Sequence, residues 1–256
     1  MLPACLSPRI GRHSPVHLTI AIPAFNEEKL LPETLAAIQD SAKVFEAINW
    51  DWELVVCDNN SSDRTAELAR DAGARVVFES QNQIARARNA AGQAARGDWI
   101  LFVDADSKPS PELFAATGKV MQQTDILGGG STLTMGVVPW WAAFWIHLWN
   151  CTSRVMRWPA GSYFFCRTKA FRELEGFSKT LYASEELEFA ERLKRHGRRR
   201  QQRLHIITGQ PLITSARKLS LYSPWELVRL LIATAFTGGR ALSDPKACSW
   251  WYDGRR

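Results

Sequence analysis

Apolar residues in the first hundred positions fall into four short runs that are separated by amphipathic stretches. These runs predict strands at Leu18–Ile22, Trp52–Cys57, Arg75–Phe78 and Trp99–Val103. Between them, apolar residues recur at helical spacing, and the alanine-rich stretch Ile84–Ala95 is the last of three predicted helices. Strands that alternate with helices at this spacing need crossover connections, so the pattern predicts a parallel sheet built from right-handed units. We therefore expect an α/β layer of the nucleotide-binding type.

The second half of the chain is less regular. Its predicted elements are a helix at Pro111–Gln122, strands at Ile126–Leu133, Ala160–Arg167, Leu204–Thr208 and Leu212–Thr214, and a helix at Pro224–Phe236. The glycines Gly128–Gly130 do not form the dinucleotide motif G-x-G-x-x-G, because Leu133 stands at its last position. Val120 likewise stands where a P-loop needs Ser or Thr. Both a dinucleotide-dependent oxidoreductase and a P-loop NTPase are therefore disfavoured.

The net charge of +6 comes from one segment. Arg192–Arg203 holds seven basic residues and no acid, and the rest of the chain has 25 basic and 26 acidic residues. Such a block is most typical of a solvated protein face, and binding to an anionic membrane surface is the next interpretation. Nucleic acid is therefore not an expected partner. The five cysteines are odd in number and lack zinc spacing, which indicates reduced thiols in a cytoplasmic protein. We expect neither a secretory signal nor a spanning helix, because no suitable apolar run occurs.

Five of the eleven tryptophans lie in Trp140–Trp158. Trp141, Trp145 and Trp149 are four residues apart, which places them on one face of a predicted helix. Tryptophan favours membrane–water interfaces because its ring is apolar and its N–H is polar. The segment therefore predicts a peripheral membrane contact, shared with Arg192–Arg203, or an apolar binding groove. A core helix packed on the sheet is the competing structural interpretation.

Two acids follow the most apolar predicted strand. Trp99–Val103 is a continuous apolar run, as expected for a strand buried on both faces, and Asp104 and Asp106 come directly after it. In open α/β sheets, ligands bind beyond the carboxyl ends of the strands. Two carboxylates at that place suit Mg²⁺ or Mn²⁺ that also contacts substrate phosphates. A turn with two solvated acids is the structural alternative.

A second acidic pair begins a predicted helix further along the chain. Ser184 is expected as the N-cap, and Glu185 and Glu186 lie in the first turn, where the helix dipole favours negative charge. Glu188 and Glu191 each have an arginine four residues later, so ion pairs on the helix account for them. Glu185 and Glu186 have no such partner, which makes one of them a candidate for chemistry.

Four motifs in this order resemble the inverting family-2 glycosyltransferases of the GT-A fold. They are IPAFNEE at the first strand, CDNNSSDRT at the second, RARNAA with GDWILFVDADS around the DxD pair, and SEELEFAERL further on. The resemblance covers about residues 17–196. It implies a GT-A type three-layer sandwich with a mostly parallel central sheet flanked by helices. It also implies metal-dependent transfer of a sugar from a UDP- or GDP-linked donor to an acceptor hydroxyl.

The resemblance further implies a role for each matching residue. Asp106 and Asp104 would hold the Mg²⁺ or Mn²⁺, and Glu186 would be the catalytic base that deprotonates the acceptor hydroxyl. Glu185 stays open as the alternative base, because the family usually has Asp here and two glutamates are adjacent. Asp58 would accept a hydrogen bond from the base ring, and Arg88 would lie near the phosphates. The full set of donor-binding residues implied is Pro23, Phe25, Glu27, Asp58, Asn59, Arg88, Asp104 and Arg217.

We expect a single domain over residues 1–256. Its parts would be a nucleotide-sugar-binding half at about 17–107, an acceptor and catalytic half at about 108–215, and a helical tail at about 216–256. If the tryptophan helix is interfacial, the acceptor is expected to be lipid-linked or amphipathic, with the protein at the inner face of the membrane. Two alternatives stay open: a catalytically silent membrane-surface or binding protein on this fold, and a nucleotidyltransferase. The second would need a glycine-rich basic loop where Pro23–Glu28 is acidic.

Overall fold

A computed structural model describes residues 18–216. The strands in this range are β1 Leu18–Ala24, β2 Trp52–Asp58, β3 Arg75–Phe78, β4 Trp99–Val103, β5 Ser107–Lys108, β6 Ile126–Thr134, β7 Tyr163–Arg167 and β8 Arg203–Thr214. The helices are α1 Leu31–Glu46, α2 Thr65–Asp71, α3 Ile84–Ala94, α4 Pro111–Met121, α5 Trp140–Met156, α6 Thr168–Glu173 and α7 Glu185–Arg198. The predicted helix at Pro224–Phe236, the expected C-terminal tail and Arg217 lie outside the described residues.

One sheet contains all eight described strands in the order β3-β2-β1-β4-β7-β6-β8-β5. Strands β3, β2, β1 and β4 are parallel, which confirms the alternating pattern predicted for the first half. Strand β7 is antiparallel to both β4 and β6, so β6 and β8 run in the same direction as β4. The carboxyl ends of β1, β2, β4, β6 and β8 therefore lie at one edge of the sheet.

Helices cover both faces of this sheet and form a three-layer sandwich. The side chains of β4 alternate between the layers: Trp99, Leu101 and Val103 join one apolar cluster, and Ile100 and Phe102 join the other. The first cluster includes residues of α1, α2 and α4, and the second includes residues of α3, α6 and α7. All five β4 residues are buried, as the continuous apolar run predicts.

The three consecutive glycines belong to β6, which lies between β7 and β8. A Cβ atom at Gly129 would overlap the backbone oxygen of His205 on β8, and one at Gly128 would lie 2.6 Å from the backbone oxygen of Phe165 on β7. Glycine is needed here because the neighbouring strands approach the β6 backbone closely. The motif thus has a packing role within the sheet.

Three predicted elements differ from the structure. The polar stretch Asn26–Glu28 predicts the start of the first helix, but α1 begins at Leu31, because residues 25–30 form the turn after β1. The two short strands expected after Arg203 form one strand, β8, whose register with β6 shifts between Ser131 and Leu133. The shift accommodates Gly209, which has a φ of +87°, a backbone conformation that suits a bulge in a continuing strand.

Helix α5 does not pack into the core of the described structure, so the core-helix interpretation of the tryptophan segment is wrong for this part of the chain. Among its 17 residues only Ala142 and Ser153 are buried. The three tryptophans expected on one helix face differ in exposure, since Trp145 is exposed while Trp141 and Trp149 are half-buried. No helix among residues 18–216 combines the length and the apolar character needed to cross a membrane.

Candidate active site

The ends of β1 and β2 bring the first two motifs together. Parallel pairing sets Pro23 beside Cys57 and Ala24 beside Asp58, and the backbone N–H of Asn59 donates to the Ala24 carbonyl at 2.8 Å. Both Pro23 and Asp58 are buried at this edge. Adjacent parallel strands end at the same edge, so the sequence order of the motifs becomes a spatial cluster.

The loop after β1 is fastened to the loop after β2. The backbone N–H of Glu27 donates to Thr65 Oγ1 at 2.8 Å, and Glu27 itself is buried. Asp58 Oδ1 accepts the backbone N–H of Ser61 at 3.0 Å, which closes the β2 loop. Phe25 lies half-buried in the β1 loop. The residues expected to border a nucleoside thus lie on two mutually supported loops.

Asn59 uses its whole side-chain amide inside the protein. Its Nδ2 donates to the backbone oxygens of Glu79 at 3.1 Å and Gln81 at 2.7 Å, and its Oδ1 accepts the backbone N–H of Gln83 at 2.9 Å. The amide therefore holds the segment between β3 and α3 against the end of β2. A role for Asn59 in donor binding stays a prediction.

Asp104 and Asp106 lie at the carboxyl end of β4. The backbone N–H of Asp104 donates to the Ser162 carbonyl at 3.3 Å, just before β7. The Asp104 carboxylate is partly exposed and accepts Arg88 Nη2 at 3.0 Å through Oδ1. Asp106 is half-buried, with its Oδ1 at 3.5 Å from Ser107 Oγ. The two acids expected to hold a cation are thus at the predicted edge and face different neighbours.

Arg88 on α3 connects the two halves of the site. Its Nη1 donates to Glu185 Oε1 at 2.5 Å while its Nη2 donates to Asp104, and only 2% of the arginine is exposed. The guanidinium also lies over the Phe177 ring, 5.7 Å from its centroid. Burial alone would lower the pKa of Arg88, but Asp104, Glu185 and Glu186 raise it above the usual arginine range. Arg88 is therefore a fixed cation among three carboxyl groups.

A glycine makes room for this arginine. A Cβ atom at Gly161 would lie 2.7 Å from Arg88 Nη2, closer than side-chain atoms pack. Gly161 precedes Ser162, whose carbonyl binds the backbone of Asp104. The segment between α5 and β7 therefore lies directly against both Arg88 and Asp104.

Glu185 and Glu186 differ in environment although they are adjacent. Glu185 is 2% exposed and pairs with Arg88, whereas Glu186 is half-buried and forms no salt bridge within residues 18–216. Burial, and then the charge of Glu185, raise the pKa of Glu186 to about 8. Burial also raises the pKa of Glu185, which Arg88 opposes. Both carboxyl groups therefore hold a proton more readily than an exposed glutamate does.

The backbone before α7 is held in place by α3. Asn89 Nδ2 donates to the Phe177 carbonyl and its Oδ1 accepts the Phe177 N–H, both at 2.8 Å. Gln83 Nε2 donates to the carbonyls of Lys179 at 3.0 Å and Leu181 at 2.9 Å. Sequence reasoning missed Gln83, because a glutamine before a helix carries no local signal for a partner nearly a hundred residues away. These bonds fix the segment that leads to Glu185.

Ser184 occupies the predicted N-cap position of α7 without forming the expected cap bond. Its φ is +61°, in the left-handed region, and its side chain makes no capping hydrogen bond. A serine in this region is strained, and such strain concentrates at functional sites. On the same helix Glu188 pairs with Arg192 as expected. The pair expected between Glu191 and Arg195 is wrong, because Glu191 pairs with Lys194 at 2.8 Å.

The donor set at β4 suits a hard divalent cation. Asp104 Oδ2 makes no hydrogen bond within the described chain, and Asp106 supplies a second carboxylate two residues away. Residues 18–216 contain no cluster of three or more His, Cys, Asp or Glu side chains arranged for a metal. Mg²⁺ and Mn²⁺ are commonly held by one or two carboxylates together with substrate phosphates, and that chemistry fits Asp104 and Asp106.

Two solved structures have the same architecture. A mannosyltransferase from Pyrobaculum calidifontis, solved in complex with GDP-Man and Mn²⁺, has a TM-score of 0.66 and 19% identity, over 94% of this chain and 74% of its own. A glucosyl-3-phosphoglycerate synthase from Mycobacterium tuberculosis, solved with Mn²⁺, UDP and glucosyl-3-phosphoglycerate, has a TM-score of 0.60 and 19% identity, over 87% of this chain and 79% of its own. At this identity the likeness establishes the GT-A fold.

The sequence itself matches curated proteins over part of its length. An undecaprenyl-phosphate 4-deoxy-4-formamido-L-arabinose transferase of Pseudomonas fluorescens is 32% identical over 106 residues, which cover 38% of this chain and 30% of that protein. The chain spans about a third or less of the length of the first curated relatives that it matches. The profile of glycosyl transferase family 2 matches residues 19–177, which include Asp58, Arg88, Asp104 and Asp106. Because that match covers more than half of the sequence, the chain belongs to glycosyl transferase family 2.

Proposed function

We propose that this chain transfers a sugar from a UDP- or GDP-linked donor to an acceptor hydroxyl, with inversion at the anomeric carbon. The observation that supports this most directly is the cluster in which Arg88 joins Asp104 to Glu185, with Glu186 beside them. Glu186, the candidate proton acceptor, lies near Asp104, one of the two acids that suit a cation, and this proximity supports the proposal. That combination is what transfer from a metal-bound diphosphate donor requires.

In this proposal Glu186 is the general base. A base works best when its pKa lies near the working pH, and the pKa of Glu186 is raised to about 8. Glu186 takes the proton of the acceptor hydroxyl as that oxygen attacks the anomeric carbon from the face opposite the leaving diphosphate. Glu185 stays bound to Arg88, so its role is to hold the first turn of α7 and to keep a negative charge beside Glu186.

Asp106 and Asp104 are proposed to hold Mg²⁺ or Mn²⁺, which when bound would offset the charge that grows on the leaving diphosphate. Arg88 keeps the Asp104 carboxylate oriented through Oδ1 and leaves Oδ2 for the cation. Arg88 is buried against Asp104, Glu185 and Phe177. It would therefore stabilise the donor phosphates through its positive charge at a distance, without contacting them. The donor nucleoside is proposed to lie along the β1 and β2 loops, bordered by Pro23, Phe25, Glu27, Asp58 and Asn59.

We further propose a lipid-linked or amphipathic acceptor and a location at the cytoplasmic face of a membrane. The relative named as an undecaprenyl-phosphate transferase supports a lipid-linked substrate. A catalytically silent membrane-surface protein is the second candidate, which the exposed apolar face of α5 favours. A nucleotidyltransferase gains no support, because the loop after β1 is acidic and is pinned to Thr65.

Release of nucleoside diphosphate from a panel of UDP- and GDP-sugars, with Mn²⁺ and with excess chelator, tests the proposal. Asp106→Ala is expected to lower the turnover by about 100-fold or more, because one carboxylate of the cation site is lost. Asp125→Ala is the matched control, since Asp125 pairs with Arg203 at the opposite edge of the sheet and should leave turnover unchanged. Release that is insensitive to chelator and to Asp106→Ala would overturn the cation's role. No release from any donor would favour the silent protein.

A further inference from the structure

Helix α5 turns large apolar side chains toward solvent. Trp140 is 83% exposed and Val155 is 81% exposed. The other large apolar residues exposed on this helix are Phe144, Trp145, Leu148 and Met156. In a surface helix of a soluble protein the polar face looks outward, so α5 has the opposite orientation.

The exposed residues form one continuous stripe. Trp140, Phe144 and Leu148 are four residues apart and Val155 follows seven residues later, so all four lie on one side of the helix. No charged residue interrupts this stripe. On the helix surface Arg154 and His147 lie beside it, at its border. At 17 residues the helix is about 25 Å long, shorter than the hydrocarbon core of a bilayer. A stripe of this kind suits a helix that lies in the plane of a membrane surface.

Basic side chains adjoin the C-terminal end of this stripe. Arg154 and Arg157 are exposed at the end of α5, and Arg195, Arg198 and Arg199 are exposed on or just after α7. None of these five arginines forms a salt bridge with another residue in the 18–216 range.

Helices α5 and α7 are joined at this point. Lys194 Nζ donates to the carbonyl of Met156, and Trp158 Nε1 donates to Glu191 at 2.6 Å. The apolar stripe and the basic residues are therefore parts of one continuous surface.

We propose that the α5 stripe and these arginines form a docking surface for an anionic lipid bilayer. Charge complementarity selects the occupant. Guanidinium groups that form no salt bridge within residues 18–216 lie beside an uncharged aromatic stripe, and they match lipid phosphates beside acyl chains. An apolar protein partner would match the stripe and would leave the arginines without counter-charges. Docking does not depend on the proposed transfer activity, so each can fail without the other.

The docked orientation brings the candidate active site to the lipid surface. Helix α5 follows β6, whose carboxyl end lies at the same edge of the sheet as Asp104. The segment after α5 then contacts the site directly, through Gly161 against Arg88 and Ser162 against Asp104. The cleft beneath α5, with a volume of about 480 Å³, is lined by Leu133, Asn150 and other residues of β6, α5 and β8. A lipid-borne hydroxyl would therefore enter beside α5.

Sedimentation of the full chain with vesicles tests the docking surface. Phosphatidylcholine vesicles are compared with vesicles that also contain about 30% phosphatidylglycerol, at low and high salt, because the attraction to anionic lipid is screened by salt. The stripe variant is Trp140→Ser with Phe144→Ser, and its control is Phe78→Ser, since Phe78 is 63% exposed on β3, the outermost strand on the side of the sheet away from β6 and α5. The charge variant is Arg154→Gln with Arg157→Gln, and its control is Arg70→Gln on α2.

The wild-type chain is expected to sediment with the anionic vesicles and about tenfold less with the neutral ones. The stripe variant and the charge variant should each lose most of their binding to the anionic vesicles. Both controls, Phe78→Ser and Arg70→Gln, should keep it. Failure of the full chain to bind anionic vesicles, or equal binding by the stripe variant and Phe78→Ser, would overturn the proposal. A lipid-free oligomer, seen by light scattering and abolished by the stripe variant, would also overturn it, because the stripe would then be an interface between copies.

Discussion

Replacing Arg88 with methionine removes the cation that joins the two halves of the site. The side chains of Arg88 and Glu185 are each 3% exposed and their charged atoms are 2.5 Å apart. Methionine has a similar length and keeps the apolar contacts, so the main change is a buried Glu185 without its counter-charge. Breaking a buried ion pair from one side costs roughly 3–5 kcal/mol of unfolding free energy.

A second arginine provides the matched control. Arg75 pairs with Glu53 at 2.8 Å, but their side chains are 33% and 16% exposed, so solvent screens the pair. Arg75→Met should therefore cost about 1 kcal/mol. Both arginines also have a buried Nε without a hydrogen-bond partner in the described structure, so this feature does not distinguish the two substitutions.

Equilibrium urea unfolding, followed by tryptophan fluorescence in the presence of chelator, measures both variants. The double variant Arg88→Met, Glu185→Gln should recover part of the loss, because it no longer buries an unpaired charge. The loss in Arg88→Met should also shrink as the pH falls, since the unpaired Glu185 then takes up a proton. A loss in Arg88→Met no larger than that in Arg75→Met, or no recovery in the double variant, would refute the structural role of Arg88.

Three further predictions concern stability. Because the pKa of Glu186 is raised from 4.5 to about 8 in the folded chain, the folded state binds more protons and wild-type stability should fall as the pH rises between these values. Glu186→Gln should reduce this slope in urea titrations at several pH values, and an unchanged slope would contradict the burial of Glu186. Gly129→Ala should cost about 2 kcal/mol or more and lower the thermal midpoint, because its methyl group overlaps the His205 backbone oxygen; an unchanged midpoint would show that β6 and β8 separate easily. Tyr163→Phe should cost about 1 kcal/mol in urea unfolding, because buried Tyr163 Oη bonds Thr117 Oγ1 at 2.7 Å; no loss would mean that this bond adds no net stability.

The sequence predicts the elements whose signal is local. The apolar run Trp99–Val103 has no polar interruption, so its burial on both faces could be predicted, and the position of Asp104 at the strand end followed from it. Alternation of strands and helices likewise predicted the parallel order of β1 to β4. The shared edge of the motifs is a consequence of that order.

The links between distant residues could not be predicted in the same way. Arg88 and Glu185 are 97 positions apart, and only the packing of α3 against the segment before α7 brings them together. This contact is also what distinguishes Glu185 from Glu186, which share the same local sequence. The orientation of α5 could not be decided for another reason. An apolar stripe normally indicates the face toward the core, while its tryptophans favour a membrane interface, so the sequence left both orientations open.

The most direct test of the account is the turnover of Glu186→Gln with the donor that the screen identifies. Glutamine keeps the size of the side chain and cannot accept the proton, so kcat should fall by about 10²–10⁴-fold. Binding of the nucleotide with Mn²⁺, measured by calorimetry, should stay within about twofold, because Glu186 is not proposed to contact the donor. Wild-type kcat/KM should fall as the pH drops below the pKa of Glu186. Wild-type turnover in Glu186→Gln, together with loss of turnover in a folded Glu185→Gln, would contradict the assignment of the base.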